Sequence, residues 1–490
     1  MQPPPAPRRL PSFALVALTT VLGGGATAAD PPPRPVVIHD VTVVDVRAGR
    51  AVPDRTVVIA GGVIAAVGGT DEVAVPGDAT RIDGRGKFLI PGLWDMHAHV
   101  ADEKMWPLFL ANGVTGVRHM FSVNPLYPAA RAGRGRPGGP LVVGADTILD
   151  GPGGPFERGA TRLNVWTAAT PDDARRAVRR MKANGEDFVK VYSNLPREAY
   201  FAAADEARAQ EMPLVGHVPV GVSAEEAAVA GHRSIEHLTN VAVGCAAGRE
   251  GFEAELRGFA GGGRAGAAHP AGWRLEVRAH ADYDPARAAA LFKTFVGHGT
   301  WHVPTLVQTR AWATLDDPAV RFDPRVALVP PAVRSFWHVE HAAGGLRLPA
   351  LGFALTREDL WVREQQLAGE KRLVGAMHRA GVGLLAGTDT PNPYVLPGFA
   401  LHDELALFVE AGLSPADALR TATLNPARFL GRDDCGEVAA GLRADLVLLE
   451  RNPLADIRNT RWVHAVVFGG AAHPRADLLR MLDDARVARR

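Results

Sequence analysis

Apolar and polar residues alternate with period two from Val36 to about Val67, through VVIHDVTVVDV and TVVIAGGVIAAVG, with turn residues at Ala48-Gly49 and Gly61-Gly62 between the runs. This pattern predicts antiparallel hairpins with one buried face. The same texture returns late in the chain, where GEVAAGLRADLVLLERNPLADI is followed by WVHAVVFGG. Two β-rich segments flanking a long middle predict one discontinuous β-sandwich built from residues 36–89 and 431–475. Two separate β appendages would produce the same pattern.

The middle, residues 90–430, alternates short apolar runs with helical stretches, as a parallel α/β domain does. The candidate strands are LWDMHAH, VTGVRHM, PLVVGAD, DFVKVYS, PLVGHV, SIEHL, TWHVPTL and VGLLAGTD. That number closes a (β/α)8 TIM barrel. DDARRAVRRMKANG and AEEAAVAGH read as helices between them. An open doubly wound sheet would want a glycine-rich phosphate loop after its first strand, and none is present. Gly244 to Asp282, with its GGGRAG, reads as a loop or lid insertion, and Trp312 to about Ala368 as irregular and helical structure. Ser414 is placed to cap a helix beginning at Pro415, Asn425-Pro426 starts another, and Gly431 stops it.

Composition changes this picture little. Among 490 residues, Lys+Arg 54 balance Asp+Glu 53, which argues against a nucleic-acid or acidic-surface partner. Hydrophobic content of 47% is that of a globular chain. The start reads as a targeting segment: Arg8 and Arg9, an apolar run from Leu10 to Leu22, then small residues with Ala26 and Ala28 in an A-x-A relation. Residues 1–29 are therefore expected to be a cleaved signal peptide, 30–35 a proline-rich linker, and 476–490 a C-terminal tail. The mature protein is expected in the periplasm or secreted, without stable membrane insertion. Cys245 and Cys435 are the two cysteines; they either pair or remain free buried thiols.

The chemistry concentrates at strand ends. Alternation on a strand places Asp95, His97 and His99 on one face, and two imidazoles one repeat apart can grip one metal ion. H-x-H alone also occurs as a solvated strand end. Lys190 lies inside DFVKVYS on the face of Phe188 and Tyr192, in a strand buried on both sides. An ammonium there needs an ion pair, a route to the barrel mouth, or carboxylation by carbon dioxide to a carbamate. His217 and His237 each close an apolar strand, and Asp389 ends the last one in LLAGTDT. Each alone passes as a cap. Jointly, they fall on the rim where barrel enzymes place their chemistry.

PGLWDMHAHV, FVKVYS, VGHVPVG, SIEHL, VPTL, AGTDT, LHDELALFVEAGLSPADALRTATLNPARFLG and GLRADLVLLERNPLADI resemble the amidohydrolase superfamily, in its imidazolonepropionase-like and Xaa-Pro dipeptidase-like branch. The resemblance runs over essentially the whole mature chain. It implies two divalent ions, one held by His97, His99 and Asp389, the other by His217 and His237, bridged by carboxylated Lys190. Zinc suits those donors, as would manganese or cobalt. A hydroxide between two cations exists at neutral pH and attacks the scissile carbonyl, with Asp389 as general base and then acid. The implied reaction is hydrolysis of a C–N bond in a small molecule. The same centre would also serve an ester, lactone or organophosphate, and a binding protein that had lost catalysis would keep the barrel.

Two positions depart from the pattern, and a third, which matches it, narrows the activity. Pro219 stands where dipeptidase members often carry an oxyanion-supporting tyrosine, leaving Tyr192 or His302 as substitutes and His402 as a further pocket candidate. His119 stands where an aspartate is expected after Arg118. Lys190 argues against imidazolonepropionase activity itself. Oligomeric state stays open, a homo-oligomer included.

Overall fold

The computed structural model describes residues 34–122, 128, 139–154, 164–259, 269–342, 344–349 and 353–487. The expected signal peptide, most of the linker, the GGGRAG stretch and the last three residues of the tail lie outside them.

The two ends of the chain meet in one eight-stranded sheet. Val36–Asp45 pairs antiparallel with Arg50–Ala60, which pairs with Val63–Gly69, while Thr80–Asp83 and Phe88–Pro91 run parallel to the first strand. Phe88–Pro91 then pairs antiparallel with Leu446–Leu449, which continues to Val463–Phe468 and Ala471–Pro474. The sheet curls back on itself: the Ile64 N–H donates to Leu442 O, and that of Ala444 to Gly62 O. Separate appendages are therefore ruled out.

Leu446–Leu449 is buried at every position. Leu446 and Leu448 join a small core with Ile38, Ile59 and Val467, whereas Val447 and Leu449 join the large core of the main body. One strand thus serves two cores, which explains why LVLL shows no polar alternation.

The main body carries parallel strands at or near the places the pattern indicated. Leu93–Ala98, Val114–His119 and Leu141–Gly144 pair in that order. Val189–Val191, Leu214–Gly216, His232–Glu236 and Trp301–Val303 form a second parallel run. Residues 383–390 contribute no regular strand, but parallel bridges tie Leu384 to His302 and Thr390 to Ala98, joining the second run to the first. Helices with local start signals separate the strands. Thr170 caps Pro171–Ala183 in a reciprocal box with Asp173, and Ser414 caps Pro415–Thr421. Gly431, at φ +65°, ends Leu424–Leu430.

Some regions differ from expectation. The described residues between Gly244 and Asp282 are mostly helical, in Arg249–Gly258 and Pro270–Ala281. Glu340–Ala342, Gly345–Leu348 and Phe353–Thr356 form a small antiparallel sheet where only irregular and helical structure was anticipated. Two short strands, Ile148–Asp150 and Val165–Thr167, were not foreseen. Both cysteines are free thiols, Cys245 buried and Cys435 half-buried. Among the described residues no helix is long and apolar enough to cross a membrane.

Because both faces of Leu446–Leu449 are interior, Leu448→Ala and Leu449→Ala should each lower unfolding free energy by about 2–5 kcal/mol. Chemical denaturation of the two variants checks this. A neutral result for either would mean that its face of the strand is not a core.

Candidate metal centre

Leu93–Ala98 ends at the cluster, and its pairing is irregular between Asp95 and Ala98. Asp95, two residues before His97 on this strand, is fully buried. Its carboxylate accepts from Thr388 Oγ1 at 2.7 Å and from the backbone N–H of Thr388 and His97. Burial raises its pKa to about 6. His97 and His99 instead converge on Asp389: Nε2 of His99 lies 2.9 Å and Nε2 of His97 3.3 Å from Asp389 Oδ1. These three residues offer ligand atoms within 4.8 Å of one another. The close approach requires Gly387, where a Cβ would stand 2.7 Å from the His97 backbone nitrogen.

His237 and His217 complete the group. The His97 and His237 rings lie 4.6 Å apart and the His237 and His217 rings 4.9 Å apart, while His237 Nε2 is 3.9 Å from Asp389 Oδ2. His237 and Asp389 both have left-handed backbones, with φ +56° and +61°. Such strain in non-glycine residues persists where surrounding structure enforces it, often at functional sites.

Each imidazole is held at Nδ1. His97 contacts Glu236 Oε2 at 2.7 Å, His99 the Phe121 carbonyl at 3.0 Å, His217 Ser193 Oγ at 2.7 Å and His237 Thr305 Oγ1 at 2.7 Å. Nε2 is thereby the remaining donor atom on all four rings, the arrangement by which outer partners orient histidine ligands. Burial lowers the pKa of His99 to about 4 and of His237 to about 3, and pushes His217 down strongly, so these rings are neutral at physiological pH. For Asp389 burial works upward, yet the His237 and His97 imidazoles outweigh it and hold the carboxyl well below its usual range.

Lys190 is 1% exposed, and burial lowers its pKa to about 8. Gly216 makes room for it: a Cβ there would stand 3.1 Å from Lys190 Cδ and 2.3 Å from Val191 O. Tyr192 lies over His217, with ring centroids 4.0 Å apart.

The other two pocket candidates are placed elsewhere. His302 pairs in register with the buried Ile235, on the face opposite Glu236, and its ring packs 4.5 Å from Phe295. His402 bonds Thr460 Oγ1 at 3.0 Å. We assign neither a substrate contact. His119 is fully buried: its Nδ1 accepts from the Val100 N–H at 3.1 Å, and Nε2 is 3.5 Å from Asp146 Oδ1.

Two charged residues that the sequence did not single out lie at the centre of this arrangement. Glu236 and Arg118 are both 0% exposed and paired. Arg118 donates to Glu236 Oε1 and Oε2 at 2.8 and 2.9 Å, to Ser234 Oγ at 2.8 Å and to the Met96 carbonyl at 2.6 Å. Burial pulls the Glu236 carboxyl upward, but Arg118 and His97 outweigh it and keep it ionised. The sequence signal was a charge on each of two apolar strands.

Known proteins share parts of this sequence and its fold. Residues 347–472, which include Asp389, match the Amidohydrolase family. The structure resembles Bottromycin amidohydrolase with a TM-score of 0.67 at 24% identity, over 93% of this chain and 91% of that one. The similarity to the Amidohydrolase family thus covers residues 347–472, and the fold is like that of a solved amidohydrolase. Among named amidohydrolase relatives, Adenine deaminase 2 of Agrobacterium fabrum is 52% identical over 56 residues, 11% of this chain and 9% of that protein. Ochratoxinase of Aspergillus niger is 36% identical over 116 residues, 23% of each. The chain spans less than a quarter of the length of these curated relatives.

Removing one partner of a buried ion pair strands the other charge. Glu236→Gln should therefore cost about 3–5 kcal/mol of stability, and Arg118→Met combined with Glu236→Gln should recover much of it. Unfolding midpoints of the three chains decide it, and a double variant no better than the single would remove the stranded charge as the cause.

Proposed function

We propose that this chain hydrolyses a carbon–nitrogen bond of a small molecule, in an amide, a peptide-like bond or a cyclic amide, at a centre of two divalent metal ions. The proposal places that centre in a (β/α)8 barrel beside a composite β-sandwich, and places the mature protein outside the cytoplasm after removal of residues 1–29.

The observation that carries it is the convergence of His97, His99 and Asp389, with His217 and His237 beside them and every Nδ1 taken. The donor set fits metal. His97 Nε2 is buried with no hydrogen-bond partner, an atom costly to leave in that state. Neutral imidazoles, a carboxylate and a carbamate are donors that zinc accepts. His97, His99 and Asp389 would hold one ion and His217 and His237 the other, with Lys190 shared between them. When bound, the ions would activate water at neutral pH and polarise the scissile carbonyl.

The chain's own residues do the rest. Burial leaves part of Lys190 as the neutral amine near pH 7, the form whose Nζ lone pair adds to carbon dioxide with release of a proton. Asp389 stays ionised, so it is ready to take the proton of the attacking water at Oδ2 and then pass it to the leaving amine. Tyr192, over His217, is the group best placed to support the carbonyl oxygen as it gains charge, in the absence of a tyrosine at Pro219.

Two outcomes are expected from chain expressed with supplementary zinc. Lys190→Ala should lose metal by elemental analysis and lose amine release from N-acyl amino acids and dipeptides, with partial rescue by short carboxylic acids. Wild-type rates with two metals in that variant would defeat the shared role of Lys190. Asp389→Asn should abolish turnover while keeping one metal equivalent. Release of alcohol or phosphate, but never amine, across a mixed substrate panel would move the activity to esters, lactones or organophosphates.

A further inference from the structure

Thr305, whose hydroxyl holds His237, has an unfavourable backbone. Its φ of 52° and ψ of 44° are left-handed, a conformation that a β-branched residue adopts rarely. The adjoining helix keeps it there. Leu306–Ala313 begins at the next residue, and its first two amides do not point to solvent. The Leu306 N–H donates to Glu404 Oε1 at 3.0 Å and the Val307 N–H to Glu404 Oε2 at 2.7 Å.

Glu404 comes from another helix, Phe399–Glu410, and is 0% exposed. A carboxyl group accepting from two successive amides satisfies donors that a helix start otherwise leaves open, while its burial pushes its pKa up to about 8. Two bonds from one rigid fork fix the direction of the first turn and, with it, the torsions of the residue just before. His402, two residues away on the same helix, turns to Thr460 instead, so the inward reach toward Thr305 belongs to Glu404.

We propose that Glu404 is a positioning residue for His237. Through the amides of Leu306 and Val307 it holds Thr305 in its left-handed conformation, so that the Thr305 hydroxyl occupies Nδ1 of His237 and leaves Nε2 for the metal centre. This rests on the reading of His237 as a ligand.

The test uses the full chain labelled with 15N-histidine. The His237 ring signal is assigned by its loss in His237→Asn. In the metal-free wild type, His237 should be a single tautomer with its proton on Nδ1. Glu404→Gln and Thr305→Val should each give mixed tautomers, and Thr305→Ser should restore the single form. In zinc titrations against a chelator, Glu404→Gln and Thr305→Val should each weaken one zinc by about 10–100-fold, and the double variant should be no weaker than the worse single. Glu404→Asp, which keeps the carboxyl group but shortens the reach, should move both readouts the same way if the glutamine variant does not fold. A folded Glu404 variant with a single tautomer and wild-type zinc affinity would overturn the proposal, as would losses that add in the double variant. If His237→Asn leaves zinc binding unchanged, the ligand reading fails; the tautomer measurement still decides whether Glu404 orients the ring.

Discussion

A guanidinium and a carboxylate face each other at the centre of this protein, sealed from solvent. Arg118 and Glu236 reach inward from two parallel strands, and Arg118 also binds the carbonyl of Met96 on a third. Taking both charges out of water is expensive, and their attraction repays it only when every donor and acceptor is used. Here they are nearly all used: Ser234 links to both, and the remaining reach of Glu236 goes to Nδ1 of His97. Orientation of the His97 ring is thus tied to a pair that cannot relax without stranding a charge. The interior is a polar frame packed in apolar walls, and the walls alone would leave His97 free to turn.

Around that frame, three kinds of partner hold the four histidines. A charged carboxylate holds His97, a backbone carbonyl holds His99, and hydroxyls hold His217 and His237. A carboxylate partner makes an imidazole the stronger donor, while a hydroxyl leaves it closer to neutral character. The two halves of the cluster are therefore chemically unequal before any ion arrives. Asp389 Oδ1 faces His97 and His99, 3.3 and 2.9 Å from their Nε2 atoms.

Much of this was legible where chemistry is local. Ser414 and Pro415 announced a helix start that is found there, and the strand-end histidines could be placed because short apolar runs mark the parallel strands. Lys190 was legible from burial alone. Glu236 was not, for a specific reason: side chains one apart on a strand point to opposite faces, so Glu236 and His237 do not read as neighbours in one site. The left-handed turn at His237 breaks that alternation and brings both inward. Period two does explain His302, since Trp301 and Val303 take the register of Ser234 and Glu236 and leave the histidine on the other face. The small sheet over 340–356 escaped notice because its strands are three or four residues long and carry charge, too short for any period to register.

Leu446–Leu449 has a consequence for how the molecule comes into being. Its partner, Phe88–Pro91, leads within two residues into the strand Leu93–Ala98, which bears His97 and ends just before His99. During synthesis that early strand emerges with one edge bare and an apolar face exposed, and it waits for most of the polypeptide to leave the ribosome before the late strand covers it. Pairings between distant parts of a chain form slowly, because the intervening loop must close first. The half-made protein is accordingly the form most in need of a chaperone, and the histidine-bearing strand is seated only when the far end arrives.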